Sequence, residues 1–160
     1  MKANPLPEGS PIPQFTTKDE SGFFHSHETI NGKTTLLYFY PRDNTPGCTL
    51  QACDLRDAYE VLKRLPALVL GVSCCSLASH QKFKNKFAIP FPLLLDEDHT
   101  IAKLFGVWGE KKFMGKTFMG IHRTSFLINK SGKIEKTYIK VRAKMHLRMV
   151  LQDLEEFADS

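Results

Sequence analysis

The chain has 160 residues, 42% hydrophobic and 24% charged, with a formal net charge of +5 at pH 7. That balance describes one soluble globular domain with a sizeable core, and no apolar run approaches the ~20 residues that a membrane-spanning helix needs. Four cysteines are too few for a disulfide-stapled scaffold, the N-terminus lacks the apolar core of a secretory signal, and the basic residues follow no nucleic-acid-binding pattern, so a cytoplasmic protein without nucleic-acid or membrane partners is expected.

Residues 1–14 contain four prolines, which fix φ and remove backbone donors, so an extended arm is expected there. Phe15–Lys18 and Phe23–His27 flank the turn Asp19-Glu20-Ser21-Gly22 and predict a short hairpin. Leu36–Tyr40 reads as a strand buried on both faces. From Thr49 to Arg64 the pattern becomes helical, with Leu55, Ala58, Leu62 and Leu65 on one face. Leu68–Val72 is a second buried strand, and Leu77–Phe87 a helix closed by Pro90 and Pro92. Leu93–Leu95 is a short apolar run, after which Asp96-Glu97-Asp98 caps a helix through Thr100–Phe105.

Gly106–Gly120 holds four glycines and no clear period, which predicts a long loop. Thr124–Asn129 and Ile134–Val141 flank Lys130-Ser131-Gly132-Lys133, a strong hairpin signal. Leu147, Val150, Leu151, Leu154 and Phe157 mark an amphipathic C-terminal helix. The first buried strands, joined by helical crossovers, should be parallel, and the last hairpin antiparallel. An α/β domain with a mixed central sheet and helices on both faces follows.

The most informative segment runs from Tyr38 to Cys53. An apolar strand ends at Pro41, and Thr45-Pro46-Gly47-Cys48 opens the first helix. Cys48 therefore sits where unpaired amides and the helix dipole favour a thiolate. A free cysteine is only about 3% thiolate at neutral pH, so such surroundings mark a nucleophile.

Pro41, Thr45 and Cys48 form a Pro-x-x-x-Thr-x-x-Cys pattern, which resembles the peroxiredoxins. The longer match through Ala52-Cys53, Arg56-Asp57, Gly71-Val72-Ser73, Phe91-Pro92-Leu93-Leu94 and Gly106-Val107-Trp108-Gly109 is similar to their bacterioferritin comigratory protein, or peroxiredoxin Q, branch. The resemblance covers nearly the whole chain. It implies one thioredoxin-like domain over residues 1–160 and a thiol peroxidase without metal or prosthetic group. Its substrates would be hydrogen peroxide and organic hydroperoxides, its reductant thioredoxin or glutaredoxin, and its state a monomer rather than a dimer.

The same resemblance assigns Cys48 as the peroxidatic cysteine, which attacks peroxide and becomes a sulfenic acid. It makes Thr45 the hydroxyl that aligns peroxide with the thiolate, Pro41 the shield of the site, and Arg123 the cation that stabilises the developing negative charge. The Gly47 N–H is an expected donor to the peroxide. Cys53 matches the resolving position, giving a Cys48–Cys53 disulfide. On a regular helix such residues have Cα atoms about 8–9 Å apart, beyond the ~7 Å limit for bridging, so the first turns must unwind. Cys74 and Cys75 depart from the branch and read as packed thiols at a strand end. Gln51 stands where glutamate is common in the branch, and His122, expected as a solvated loop residue, where an acid is common.

Two other readings compete. A thiol–disulfide exchange enzyme of this fold would carry Cys-x-x-Cys rather than Cys-x4-Cys. A zinc-binding protein would use Cys48, Cys53, Cys74 and Cys75 with a histidine, but structural zinc sites prefer shorter paired spacings; a non-catalytic redox sensor would need Cys48 to oxidise without turnover.

Overall fold

The computed structural model describes residues 2–158, with side chains described through Glu156. In chain order its elements are β1 (Thr16–Lys18), β2 (Phe24–Ser26), β3 (Thr35–Phe39), α1 (Pro46–Asp57), α2 (Tyr59–Arg64), β4 (Leu68–Ser73), α3 (Leu77–Phe87) and β5 (Leu93–Leu95). There follow α4 (Thr100–Leu104), β6 (Trp108–Phe113), β7 (Lys116–Ile121), β8 (Thr124–Ile128), β9 (Ile134–Tyr138) and α5 (Ala143–Ala158).

The central sheet has five strands in the order β5-β4-β3-β8-β9. Helical crossovers make β3, β4 and β5 parallel, whereas β8 runs antiparallel to both β3 and β9. Every residue of β3 is buried, and side chains alternate across the sheet. Leu36 and Tyr38 pack with Ala52 and Leu55 of α1, Leu62 of α2, Phe83 of α3, and Val150 and Leu154 of α5. Leu37 and Phe39 face the other way, toward Phe15, Ile101, Ala102 and Phe105. Each fully buried Leu or Phe of this kind contributes about 1.5–3 kcal/mol, so β3 is the keel of the fold and the loop leaving it at Tyr40 starts from a fixed point. Phe157, expected on the apolar face of α5, lies outside the residues whose side chains are described.

Residues 2–14 wrap the sheet as a strandless segment. Asn4 and Leu6 donate backbone hydrogen bonds to the Gly106 and Phe105 carbonyls at 2.8 and 3.1 Å. The contact needs glycine at 106, where φ is +75° and a Cβ would lie 2.0 Å from the Asn4 oxygen. Among the described residues no helix is long and apolar enough to cross a membrane.

Two expectations are corrected. Gly106–Gly120 is not a long loop: β6 and β7 pair antiparallel from Trp108↔Ile121 to Phe113↔Lys116. The turn between them places Met114 and Gly115 both at positive φ, 51° and 79°, as tight hairpins require. Its residues are mostly exposed, so no buried face imposes the alternation that marks a strand. The helical run over Thr49–Arg64 starts earlier, at Pro46, and breaks at Ala58 (φ −96°, ψ 6°). The break keeps Leu55 and Leu62 buried, while Ala58 and Leu65 only flank the core. His122 lies in the loop between β7 and β8, partly exposed as expected, and its Nε2 donates to the Glu110 carbonyl at 2.9 Å.

The fold also predicts an acid sensitivity. His146 of α5 is 1% exposed, with Nε2 2.7 Å from the Ser125 hydroxyl. Burial, and after it the Arg123 charge, push its imidazole down to about 3. The unfolded chain protonates this ring below about pH 6.5. Between those values the unfolded state binds the extra proton, so stability is full above about 6.5 and falls toward about 3, by roughly 1.4 kcal/mol per pH unit. Asp19, Glu20 and Asp43 act in the same sense at lower pH, because hydrogen bonds and opposite charges outweigh their burial; burial holds Asp96 above its ordinary range and opposes them. Denaturant midpoints should fall from pH 7 to 4, with a slope shallower by about one proton in His146→Gln; identical slopes would contradict this account.

Candidate active site

Thr45 is the N-cap of α1 in extended conformation, and Pro46 occupies the first turn, where a missing N–H costs nothing. Cys48 follows in that turn, 2% exposed. Its amide belongs to the group that finds no partner within the helix, and the helix dipole is positive at this end. Local sequence thus puts the thiol at an anion-favouring helix end.

The cation arrives from elsewhere. Arg123 precedes β8, and the register Phe39↔Thr124 sets the start of β8 against the end of β3. Residues 75 apart in sequence therefore meet: Arg123 Nη2 lies 3.4 Å from Cys48 Sγ. Arg123 Nη1 donates to Gln51 Oε1 at 2.7 Å, so one planar fork holds both a residue of the next helical turn and the sulfur. A Cβ on Gly47 would stand 3.0 Å from Arg123 Nη2; glycine is what lets the guanidinium lie against the helix start.

Thr45 is half-buried, and its hydroxyl makes no cap hydrogen bond. It donates instead to the Arg42 carbonyl at 2.8 Å, which leaves its lone pairs as acceptors. Pro41 is half-buried at the end of the β3 extension. Cys53 lies on the same helix as Cys48 and is half-buried; all four cysteines are free thiols. Cys74 and Cys75 directly follow β4, both half-buried. Burial, followed by Asp96, pushes the Cys74 thiol up to about 12, a level at which it is not a nucleophile.

Sequence reasoning missed one cation of the site, Lys111. It sits on β6, in the segment expected to be a loop, and its Nζ donates to the Ile121 carbonyl at 2.9 Å. Burial and the nearby Arg123 charge hold its ammonium below the ordinary lysine range, with Cys48 opposing them. Gln51 is fully buried, and its Nε2 has no hydrogen-bond partner among the described residues. A cavity of about 490 Å³ borders Arg123, lined also by Pro5, Lys111, His122 and Ile139.

A buried thiol at a helix start, touched by a guanidinium, is an arrangement for nucleophilic attack by sulfur on a small polar molecule. Comparison with known proteins agrees. Residues 9–137 match the family model described as AhpC/TSA family. The chain is 47% identical over 151 residues to a putative peroxiredoxin bcp of Haemophilus influenzae, covering 94% of this chain and 97% of the relative. It is 45% identical over 155 residues to peroxiredoxin Bcp of Escherichia coli strain K12, covering 97% and 99%. Among solved structures, the bacterioferritin comigratory protein of Xanthomonas campestris, studied for its alkyl peroxide reduction activity, superposes with a TM-score of 0.85 at 32% identity over 90% of this chain and 92% of that one.

Proposed function

We propose, since the chain belongs to the AhpC/TSA family, that its peroxidase activity runs through Cys48, with Pro41, Thr45 and Arg123 supporting the attack and Cys53 resolving it. The protein is a thiol peroxidase of the peroxiredoxin Bcp and PrxQ group, with their thioredoxin-like α/β fold. Above all, the 3.4 Å contact between Arg123 and the buried Cys48 sulfur at a helix start supports the assignment.

In the proposed reaction the Cys48 thiolate attacks one oxygen of ROOH. The O–O bond breaks, the departing RO⁻ takes a proton as ROH, and sulfur is oxidised to Cys48–SOH. Thr45 and the Gly47 amide orient the peroxide, and Arg123 steadies the charge moving from sulfur to oxygen. Pro41 shields the site. The Cys53 thiolate then displaces hydroxide from the sulfenic acid, and protonation yields water and a Cys48–Cys53 disulfide. A dithiol protein of thioredoxin or glutaredoxin type reduces that disulfide by exchange. The chain acts as a single domain over residues 1–160, a monomer in the cytoplasm, and the two thiols complete the chemistry without metal or prosthetic group.

Resolution carries a mechanical demand, because α1 holds both cysteines in one helix from Pro46 to Asp57. The helical i to i+5 separation of about 8–9 Å exceeds the ~7 Å bridging limit. Peroxide-treated protein should give a Cys48–Cys53 linked peptide, and hydrogen exchange over residues 45–56 should quicken by roughly tenfold or more, as at a frayed helix end. A disulfide from Cys48 to Cys75 instead, or unchanged exchange once the Cys48–Cys53 bond has formed, overturns the resolving role.

A further inference from the structure

We propose that Asp43 and His80 are positioning residues of the peroxide-reducing step, clamping the loop that carries Pro41 and Thr45 into the shape Cys48 needs. The inference rests on the reading of Cys48 as the attacking sulfur. Neither residue belongs to the Pro-x-x-x-Thr-x-x-Cys motif; Asp43 fills one of its unspecified positions and His80 lies on α3.

The Asp43 carboxylate is buried and fully used. Tyr40 donates its hydroxyl to Oδ1 at 2.6 Å, and the Ser79 hydroxyl and His80 Nδ1 donate to Oδ2 at 2.8 and 2.6 Å. The second ring nitrogen of His80, Nε2, lies 2.9 Å from the Leu94 carbonyl. Both ring nitrogens thus face oxygen acceptors, and a histidine–carboxylate pair sits inside the protein, His80 at 0% and Asp43 at 7% exposure. Such a pair is a poor device for stability, since apolar residues of like volume often do as well or better. What it confers is one geometry, because breaking it strands a buried charge.

The loop needs that constraint. Asn44, next to Asp43, has φ 61°, a left-handed conformation that asparagine adopts more readily than other non-glycine residues and that the surrounding contacts here select. The surroundings come from β4 and α3. The Asp43 amide donates to Cys75 Sγ at 3.4 Å, and Lys86 Nζ donates to Asn44 Oδ1 at 3.3 Å. One residue beyond the left-handed position, the Thr45 hydroxyl takes its direction from the Arg42 carbonyl. The clamp therefore sets the relation between Arg42 and Thr45, and with it the direction of the Thr45 hydroxyl, the group that aligns peroxide in the proposed reaction. Misplacing a reacting group by about 1 Å can cost 10²-fold in rate.

The test compares two reactions of Cys48 in the full chain: oxidation by hydrogen peroxide, and alkylation by iodoacetamide read on the Cys48 peptide. Alkylation needs the thiolate but no aligned peroxide. Asp43→Ala and His80→Ala should slow oxidation by about 10- to 100-fold while alkylation stays within about threefold. Asp43→Asn keeps one acceptor oxygen but sets an NH2 donor where the other stood, facing either Tyr40 or the Ser79 and His80 donors, so it should recover only a small part of the loss. If the alanine variants do not fold, Ser79→Ala and Tyr40→Phe each remove one hydrogen bond, and each should slow oxidation about 3- to 10-fold with alkylation unmoved. Unchanged oxidation in the folded variants overturns the clamp, and so does a parallel fall of both rates, which a merely structural role produces. Peroxide reduction by Cys48→Ser protein would instead sink the underlying assignment of Cys48.

Discussion

Cys48→Ser is expected to lower peroxide consumption to the uncatalysed background, a loss of at least about 10⁴-fold. Serine keeps the shape of the helix start and the contact with Arg123 to within the difference between sulfur and oxygen. It removes the nucleophile, because the hydroxyl stays protonated at neutral pH and forms no sulfenic acid. Loss of activity will therefore report chemistry rather than unfolding, provided circular dichroism is unchanged. Cys74→Ser is the matched control: that thiol is pushed up to about 12 by burial and takes no part in the proposed cycle, so turnover should stay near wild type. The measurement is peroxide consumption with a thioredoxin system as reductant. Appreciable activity in Cys48→Ser would refute the thiol mechanism at this residue.

Arg123→Ala should slow the oxidation of Cys48 by about 10²- to 10³-fold, the usual consequence of removing one donor aimed at developing charge. Two effects combine. The sulfur loses the guanidinium that lies 3.4 Å away, and the departing oxygen loses the cation that would steady it. Arg123→Lys should restore only part of the rate, because an ammonium cannot hold Gln51 Oε1 and the sulfur with one rigid fork. Single-turnover rates separate this from resolution, since Cys53 acts only after the sulfenic acid exists. A rate within about threefold of wild type in Arg123→Ala would remove Arg123 from the mechanism.

Loop 41–47, and not the cysteine alone, is the unit on which the site is built. Gly47 admits the guanidinium, Thr45 takes its orientation from Arg42, and the left-handed Asn44 stands between Thr45 and a buried histidine–carboxylate pair. The first turns of α1 that follow this loop must give way when Cys53 resolves the sulfenic acid. A loop anchored at Asp43 and a helix that starts afresh at Pro46 allow the helix to unwind without releasing the loop.

The legible parts of this protein were those with local causes. Leu36–Tyr40 announced a strand by its unbroken apolar run, and Leu77–Phe87 a helix by its period. Thr45-Pro46-Gly47-Cys48 announced a helix start because proline, glycine and a polar cap act within one turn. Those signals placed the candidate nucleophile at the positive end of a helix before any fold was known. The hairpin of β6 and β7 escaped notice because its exposed strands carry no buried face, and Lys111 escaped with it. Nothing local ties Arg123 to Cys48: their meeting depends on the antiparallel register of β8 against β3, which sequence patterning does not specify. Asp43 and His80 were invisible for the same reason, since a buried histidine–carboxylate pair is defined by its surroundings rather than by either residue. Short-range sterics and periodicity dictate where a thiol meets a helix end; the long-range packing of β8 and α3 against that end decides which charges surround it.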